Sequence, residues 1–230
     1  MLNLKNNIFK GQAFALTSII IILFIILIGG IALQPLICED IDISNTMIIN
    51  DLNICMSRLF IKVIVESSKY GESTVFINKL NKFQEFLNKT ISKNYNLKFD
   101  WNGGIYFNWN SSISFTKAFL NMKISGKNFK VIKQYSYNFI VKILHSIWIN
   151  SSLNVKIKAS LNNKPIKVNV LAFLIKVNNT WIKVNSSYIM IDTGQIHVHY
   201  NVSIPPTFIY GIISDINGVI VKIKCEVKSA

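Results

Sequence analysis

The sequence predicts an α+β fold in three parts: an apolar N-terminal helix, a pair of amphipathic helices, and a β-sandwich at the C-terminal end. Three observations carry this. Residues 11–38 hold no charged side chain. From about Ser44 to Ser92 apolar residues recur every three to four positions, the period of a half-buried helix. Beyond Asn94 the period falls to two, which is that of a strand with one buried face.

The apolar segment, residues 13–34, runs Ala-Phe-Ala-Leu-Thr-Ser followed by an Ile- and Leu-rich stretch to Leu33. As a helix it is about 30 Å long, the thickness of the hydrocarbon core of a bilayer. It reads as a single transmembrane helix. Lys5 and Lys10 precede it without an acid, and Glu39, Asp40 and Asp42 follow it. That bias predicts a cytoplasmic tail at 1–12 and an extracytoplasmic remainder, because long domains translocate largely regardless of their own charge. A cleaved secretory signal at Gly30-Ile31-Ala32 is the alternative, but an apolar core of about 7–15 residues is usual there and this one is longer. Cys38 follows Pro35-Leu36-Ile37, which lacks the small residues that normally precede a lipidated cysteine.

The junction Lys10-Gly11-Gln12-Ala13-Phe14 resembles the class III signal of archaeal type IV pilin-like proteins. The resemblance implies processing between Gly11 and Gln12 on the cytoplasmic side, with the apolar helix left attached. Phe14 and Leu16 stand where that family often carries Ser and Glu. An ordinary uncleaved signal anchor is the other reading of the same residues.

A membrane-proximal helical region is expected over residues 35–95. Ile48, Leu52, Cys55, Leu59 and Val63, flanked by Met56 and Phe60, mark a first helix from Ser44 to about Ser68, with Asp42 or Ser44 as its cap. After Lys69-Tyr70-Gly71, a second helix from about Ser73 to Ser92 presents Phe76, Leu80, Phe83, Leu87 and Ile91.

A β-rich region is expected over residues 96–149. Asn102-Gly103-Gly104 reads as a turn between short strands holding Phe99 and Tyr106. The segment Ile113–Ile124 is expected to pair, through the turn Ser125-Gly126-Lys127-Asn128, with a long half-buried strand or two strands joined by a bend. In that strand Tyr135, Tyr137, Phe139, Val141, Ile143, His145, Ile147 and Ile149 occupy every second position, which makes His145 a core histidine.

Residues 150–230 form the clearest module. Alternating runs at Leu153–Leu161, Ile196–Ile204 and Val219–Val227 are separated by the turns Asn162-Asn163-Lys164-Pro165, Asp192-Thr193-Gly194 and Asp215-Ile216-Asn217-Gly218. With its Lys-Pro turn after an early strand and Asp-x-Gly ahead of a strand ending in aromatic residues, this stretch resembles the immunoglobulin-like domains of prokaryotic surface proteins. The Cys-Trp-Cys pattern of antibody domains is absent.

The formal net charge is +14, yet Arg58 is the only arginine. Arginine supplies the bidentate contacts to phosphate and base edges, so a dedicated nucleic-acid partner is not expected. The expected partners are membrane lipid through residues 13–34 and, outside, a cell-envelope protein, a glycan or a pilin-like subunit. Three cysteines have no metal-ligand spacing. An oxidising exterior permits one disulfide, with Cys55 and Cys225 as the candidate pair and free thiols as the alternative. Acceptors of the form Asn-x-Ser/Thr occur at Asn88, Asn110, Asn150, Asn178, Asn185 and Asn201.

Chemistry is sparse. Asp192-Thr193-Gly194 matches the catalytic loop of aspartic proteases only superficially, since that chemistry needs two carboxylates and no second copy exists. His197 and His199 share a strand face at a spacing compatible with two metal ligands, with Asp192 as the nearby third group. No Gly-x-Ser-x-Gly elbow, phosphate loop or His-Glu-x-x-His helix is present. The sequence therefore predicts a non-enzymatic, cofactor-free surface protein with a structural or binding role. Its alternatives are a minor subunit of a type IV pilus-like filament, and an extracytoplasmic hydrolase or metal-binding protein.

Overall fold

A computed structural model of the chain describes residues 43–92, 95–127, 129–184, 189–192 and 195–229, without the side chains of 43–48 and 189–192. The tail, the apolar segment, the Gly11–Gln12 junction, Cys38, Asp42 and Asn185 lie outside them. Among the described residues no helix is long and apolar enough to cross a membrane. The chain divides into two compact units, Met1–Leu52 and Asn53–Ala230. Of the first, only the opening of a helix is described; the second holds everything below.

The architecture is α+β and mostly β. Helix α1 spans Ile43–Tyr70 and α2 spans Ser73–Leu87, continued by a π-helical turn over Asn88–Ser92. Ser44 is inside α1 and is not its cap. The buried stripe of α1 is Met56, Phe60, Val63 and Ile64, whereas Cys55 is exposed and Leu59 only half-buried. Leu52 and Val63 of the expected face are buried too, so the buried line departs from it at Cys55 and Leu59, where Met56 and Phe60 take the inner positions. Phe60 meets Phe76 of α2 edge to face, with ring centroids 6.1 Å apart. Lys79 of α2 is paired with Glu66 of α1 at the surface.

Among the described residues twelve strands follow: β1 Lys98–Asn108, β2 Ile113–Ser125, β3 Lys130–Ile149, β4 Ser152–Leu161, β5 Lys164–Pro165, β6 Asn169–Val177, β7 Thr180–Lys183, β8 Ile189–Asp192, β9 Gln195–Asn201, β10 Phe208–Ser214, β11 Ile220–Glu226 and β12 Lys228–Ser229. The large sheet runs β1-β2-β3-β4-β9-β8, with β5 on β4 and β12 on β3; the small sheet runs β11-β10-β6-β7. The hairpin expected at residues 125–128 is present, with Ser125 paired to Lys130. The expected boundary between residues 149 and 150 falls in the β3–β4 hairpin, inside one sheet, where Ile149 pairs with Ser152.

Two local expectations are corrected. Asn102-Gly103-Gly104 is no turn: it lies inside β1, paired to Asn121, Leu120 and Phe119 of β2. The glycine serves close approach, since a Cβ on Gly103 would stand 2.8 Å from the Phe119 carbonyl oxygen. His145 is not a core residue. Pairing of β3 with β4 shifts between Ile143 and His145, so Leu144 is an extra, bulged residue and the alternation changes phase. Tyr137, Phe139, Val141 and Ile143 are buried before the bulge; after it Ser146 is buried and His145 exposed.

Register places Trp101, Ile105, Leu120, Met122, Tyr135, Tyr137, Phe139, Val155, Ile157 and Ile196 on one face of the large sheet. Two different layers cover it. At the β1 end the helices do so: Phe83 stacks on Trp101 with centroids 6.2 Å apart, and Phe60 lies 5.9 Å from Tyr135. Further along, the small sheet takes over, with β11 against β2 and β3.

The layers are stitched by hydrogen bonds at Ile220. Its N–H donates to Ser68 Oγ of α1 at 3.0 Å, and its carbonyl accepts from Thr116 Oγ1 of β2 at 2.9 Å. Helix α1 ends beside this seam at Gly71, whose φ of +73° and N–H to Ser67 O bond of 2.8 Å form a left-handed C-terminal cap. The Trp109 ring lies against that glycine: a Cβ would sit 2.6 Å from Trp109 Cζ3. Gly71→Ala should therefore cost about 1–3 kcal/mol through backbone strain and displacement of the indole. A lowered urea midpoint at unchanged m-value checks this, and an unshifted midpoint would show that the cap tolerates a side chain.

Candidate functional site

The inner positions of the small sheet, Phe173, Ile175, Ile209, Ile213, Val219, Val221 and Ile223, are buried. Alternation then puts their sequence neighbours on the opposite face. Cross-strand pairing arranges those neighbours in rows. One row is Glu226, Phe208, Lys176 and Trp181; the next is Lys224, Tyr210, Leu174 and Lys183; a third holds Lys222, Ile212 and Ala172. Three aromatic rings and four lysines thus share one surface with a single carboxylate.

The rings and ammonium groups are in contact. Trp181, 41 % exposed, meets Tyr210 edge to face with centroids 6.1 Å apart. Lys224 Nζ lies 4.9 Å and Lys176 Nζ 6.0 Å from the Phe208 centroid, so both are held over one ring face or the other by cation–π attraction. Lys222 Nζ lies 4.8 Å over Trp109. Among the described residues the only ion pair is Lys79–Glu66, so these four lysines have no carboxylate partner. Burial pushes the Tyr210 phenol above its usual value, keeping that ring a neutral, desolvated wall. A cleft of about 540 Å³ is lined by Asn110, Leu174, Trp181, Tyr210 and Lys224. A second, also about 540 Å³, shares Asn110 and Lys224 and continues past Phe208, Cys225 and Glu226 to Lys228.

The residues singled out from sequence are elsewhere. His197 and His199 lie on β9 with side chains on the same face, but His199 Nδ1 is 2.8 Å from Asn154 Oδ1 and its ring is within 3.2 Å of Ser152 Oγ. No group of three or more His, Cys, Asp or Glu able to hold a metal occurs among the described residues. Asp192 pairs with Gln195 at the end of the β8–β9 hairpin, and Thr193 and Gly194 lie outside the described residues. Cys55 and Cys225 are both free thiols and do not form the expected pair: Cys55 is exposed on α1, while Cys225 is half-buried on β11 and donates to Glu226 O at 3.2 Å. Burial, with the adjacent Glu226, raises the Cys225 thiol pKa, opposed by Lys228. Asn88, Asn110, Asn150, Asn178 and Asn201 are all exposed. Asn150 and Asn178 occupy hairpin turns with φ of +47° each, and Asn110 lines both clefts.

One acid stands apart. Asp215, 1 % exposed, accepts from the N–H groups of Asn217 and Val219 through Oδ1 at 2.9 Å each, and from Asn217 Nδ2 and the Tyr137 hydroxyl through Oδ2. No cation faces it in these bonds. Burial raises its pKa, opposed by the hydrogen bonds from Val219, Asn217 and Gly218. These bonds brace the β10–β11 turn and tie it to β3 through Tyr137. Sequence marked Asp215 only as a turn residue and Tyr137 only as one of an apolar series. It offered no register, and register is what assembles both this cluster and the lysine–aromatic face.

No protein-family model matches the chain, and no curated protein is significantly similar to it.

The Asp215 environment sets a pH dependence. Its folded pKa lies above the unfolded value, so the folded state holds the extra proton between the two. Stability contributed by this group is greatest below the unfolded pKa and declines as pH rises through the folded one. Asp215→Asn keeps the Oδ1 acceptor and removes the buried charge. Measured by urea unfolding from about pH 4 to 7, the stability of the wild type relative to this variant should fall as pH rises. A difference independent of pH would show that the carboxylate is not penalised by its burial.

Proposed function

We propose that the chain is a membrane-anchored, extracytoplasmic surface protein whose β-domain is an immunoglobulin-like binding module. The observation that carries this is the strand order. Taken from β3, the large sheet reads β3-β4-β9-β8 and the small one β11-β10-β6-β7. With β3, β4, β6, β7, β8, β9, β10 and β11 labelled A, B, C, C′, D, E, F and G, these orders match ABED and GFCC′ of immunoglobulin-like sandwiches, which supports the reading. The module then starts at β3, about twenty residues before the alternation after residue 150 suggests, and β1 and β2 extend its ABED sheet.

The anchoring half of the reading rests on the uncharged segment at 11–38 and on the lysines that precede it. Exposure of all five described acceptor asparagines suits an outside location. The binding half rests on the GFCC′ face, where, among the described residues, aromatic rings and lysines without an ion-pair partner adjoin two clefts. No catalytic role is proposed. A minor pilin-like subunit is the second reading, favoured by Lys10-Gly11-Gln12 ahead of the apolar helix.

Two measurements test these readings. Protease added to intact cells should remove a C-terminal epitope while a cytoplasmic marker survives; a protected epitope would overturn the outside placement. The mass of the purified chain should correspond to an N-terminus at Gln12 if the junction is processed like a pilin signal, and to an unprocessed one if it is a plain signal anchor.

A further inference from the structure

The GFCC′ face points to a particular ligand chemistry. Its four lysines, Lys176, Lys183, Lys222 and Lys224, share the rows with the single carboxylate of Glu226, a surplus of positive charge to which an anionic partner is complementary. The basic groups are ammonium points of charge without a guanidinium, since Arg58 lies on α1. They suit single, well-separated carboxylates better than the planar, bidentate demand of phosphodiesters. Trp181 exposes one ring beside the cleft and Tyr210 stands against it at an interplanar angle of 67°, forming a corner rather than a stack of parallel plates. Such a corner takes the flat, C–H-rich face of a sugar ring on Trp181 with Tyr210 as a wall. The row-to-row alternation of ring and ammonium would repeat that contact along a chain. The two clefts join at Lys224 and Asn110, so the path is extended, with room for more than one residue.

We infer that this face binds an acidic polysaccharide, a uronic-acid-type chain whose sugar rings lie against Trp181 and Tyr210 and whose carboxylates meet Lys176, Lys183 and Lys224. The inference rests on the binding reading above and names its ligand class. Cation–π contacts hold Lys176 and Lys224 at Phe208 without neutralising them, so their charge is in place before the ligand arrives. The arrangement predicts strong salt dependence, because the lysines are partly solvated.

The test uses the full-length chain in detergent micelles, produced in a host that does not modify Asn110, with polygalacturonate, neutral dextran and single-stranded DNA as probes. Polygalacturonate should bind and dextran should not. Trp181→Ala should weaken binding by about tenfold, the scale of one lost aromatic stack. The double substitution Lys183→Gln with Lys224→Gln should do the same and flatten the salt dependence. Lys158→Gln, on the opposite sheet, should leave affinity unchanged. Circular dichroism and the urea midpoint establish that each variant is folded. No polygalacturonate binding by the folded wild type, binding indifferent to both face variants, or preferential binding of the DNA through this face would each overturn the inference. Protease accessibility on cells reports separately: an exposed domain that fails to bind removes the ligand class and leaves the surface placement standing.

Discussion

Ile220 is where three layers are tied together. A strand at the edge of the small sheet leaves main-chain groups that must find partners, and an unpaired buried donor costs about 1–3 kcal/mol. Here Ser68 of the helix accepts the N–H and Thr116 of the large sheet supplies the donor to the carbonyl. Each hydroxyl is itself engaged further: Ser68 donates to Val65 O at 2.8 Å, and Thr116 accepts from Trp109 Nε1 at 3.3 Å. The result fixes the helix end, β2 and β11 relative to one another with directional bonds. Apolar burial alone would let the two covers slide along the large sheet. The Tyr137 bond to Asp215 pins the same region from the adjacent β3.

The need for such a seam follows from how the large sheet is built. Its buried face is longer than either cover, so neither the helix pair nor the small sheet can dry it alone. Phe60, Phe76 and Phe83 fill one end, and Val219, Val221 and Ile223 approach the other. Each fully buried side chain of this size contributes about 1.5–3 kcal/mol relative to exposure, so leaving either end uncovered would exceed the margin by which domains are stable. The bulge at Leu144 belongs to the same problem. Beyond it β3 is no longer flanked by β2, and Lys228–Ser229 of β12 joins it in parallel at Ile147–Trp148.

Periodicity made much of this readable. Both helices, the 125–128 hairpin and the alternation of β4, β9 and β11 follow from apolar spacing, because burial on one face leaves its period in the chain. The misses share a cause. A bulge inserts one residue and reverses inside and outside, so His145 was placed in the core by counting through Leu144. Two glycines usually signal a turn, but β2 approaching Gly103 asks for the same residue in mid-strand. Cys55 sits one position off the buried line of α1, an offset too small for a stripe of seven apolar residues to resolve. The position after residue 149 shows a related limit: a hairpin turn separates two strands whether they belong to one sheet or two, and only pairing tells which.

The proposed binding face was illegible for the complementary reason. Lys176, Trp181, Phe208 and Lys224 come from four strands and meet only through register, while each alone looks like the solvated neighbour of a core residue. The β1–β2 hairpin, which extends the large sheet beyond β3, acquires a role here. Its connecting loop caps the free edge of β11: Asn110 N–H donates to Lys222 O at 2.9 Å and Lys224 N–H to Ser111 O at 3.3 Å. An uncapped edge would invite pairing with another chain. Capped, it becomes the rim of a cleft, with Trp109 packed between Gly71 of the helix and the ammonium of Lys222. The loop that protects the sheet is thereby also the loop that shapes its surface. A change in how α1 ends would consequently be felt at Lys222 and Lys224 through the indole of Trp109, without any alteration of the strands that carry them.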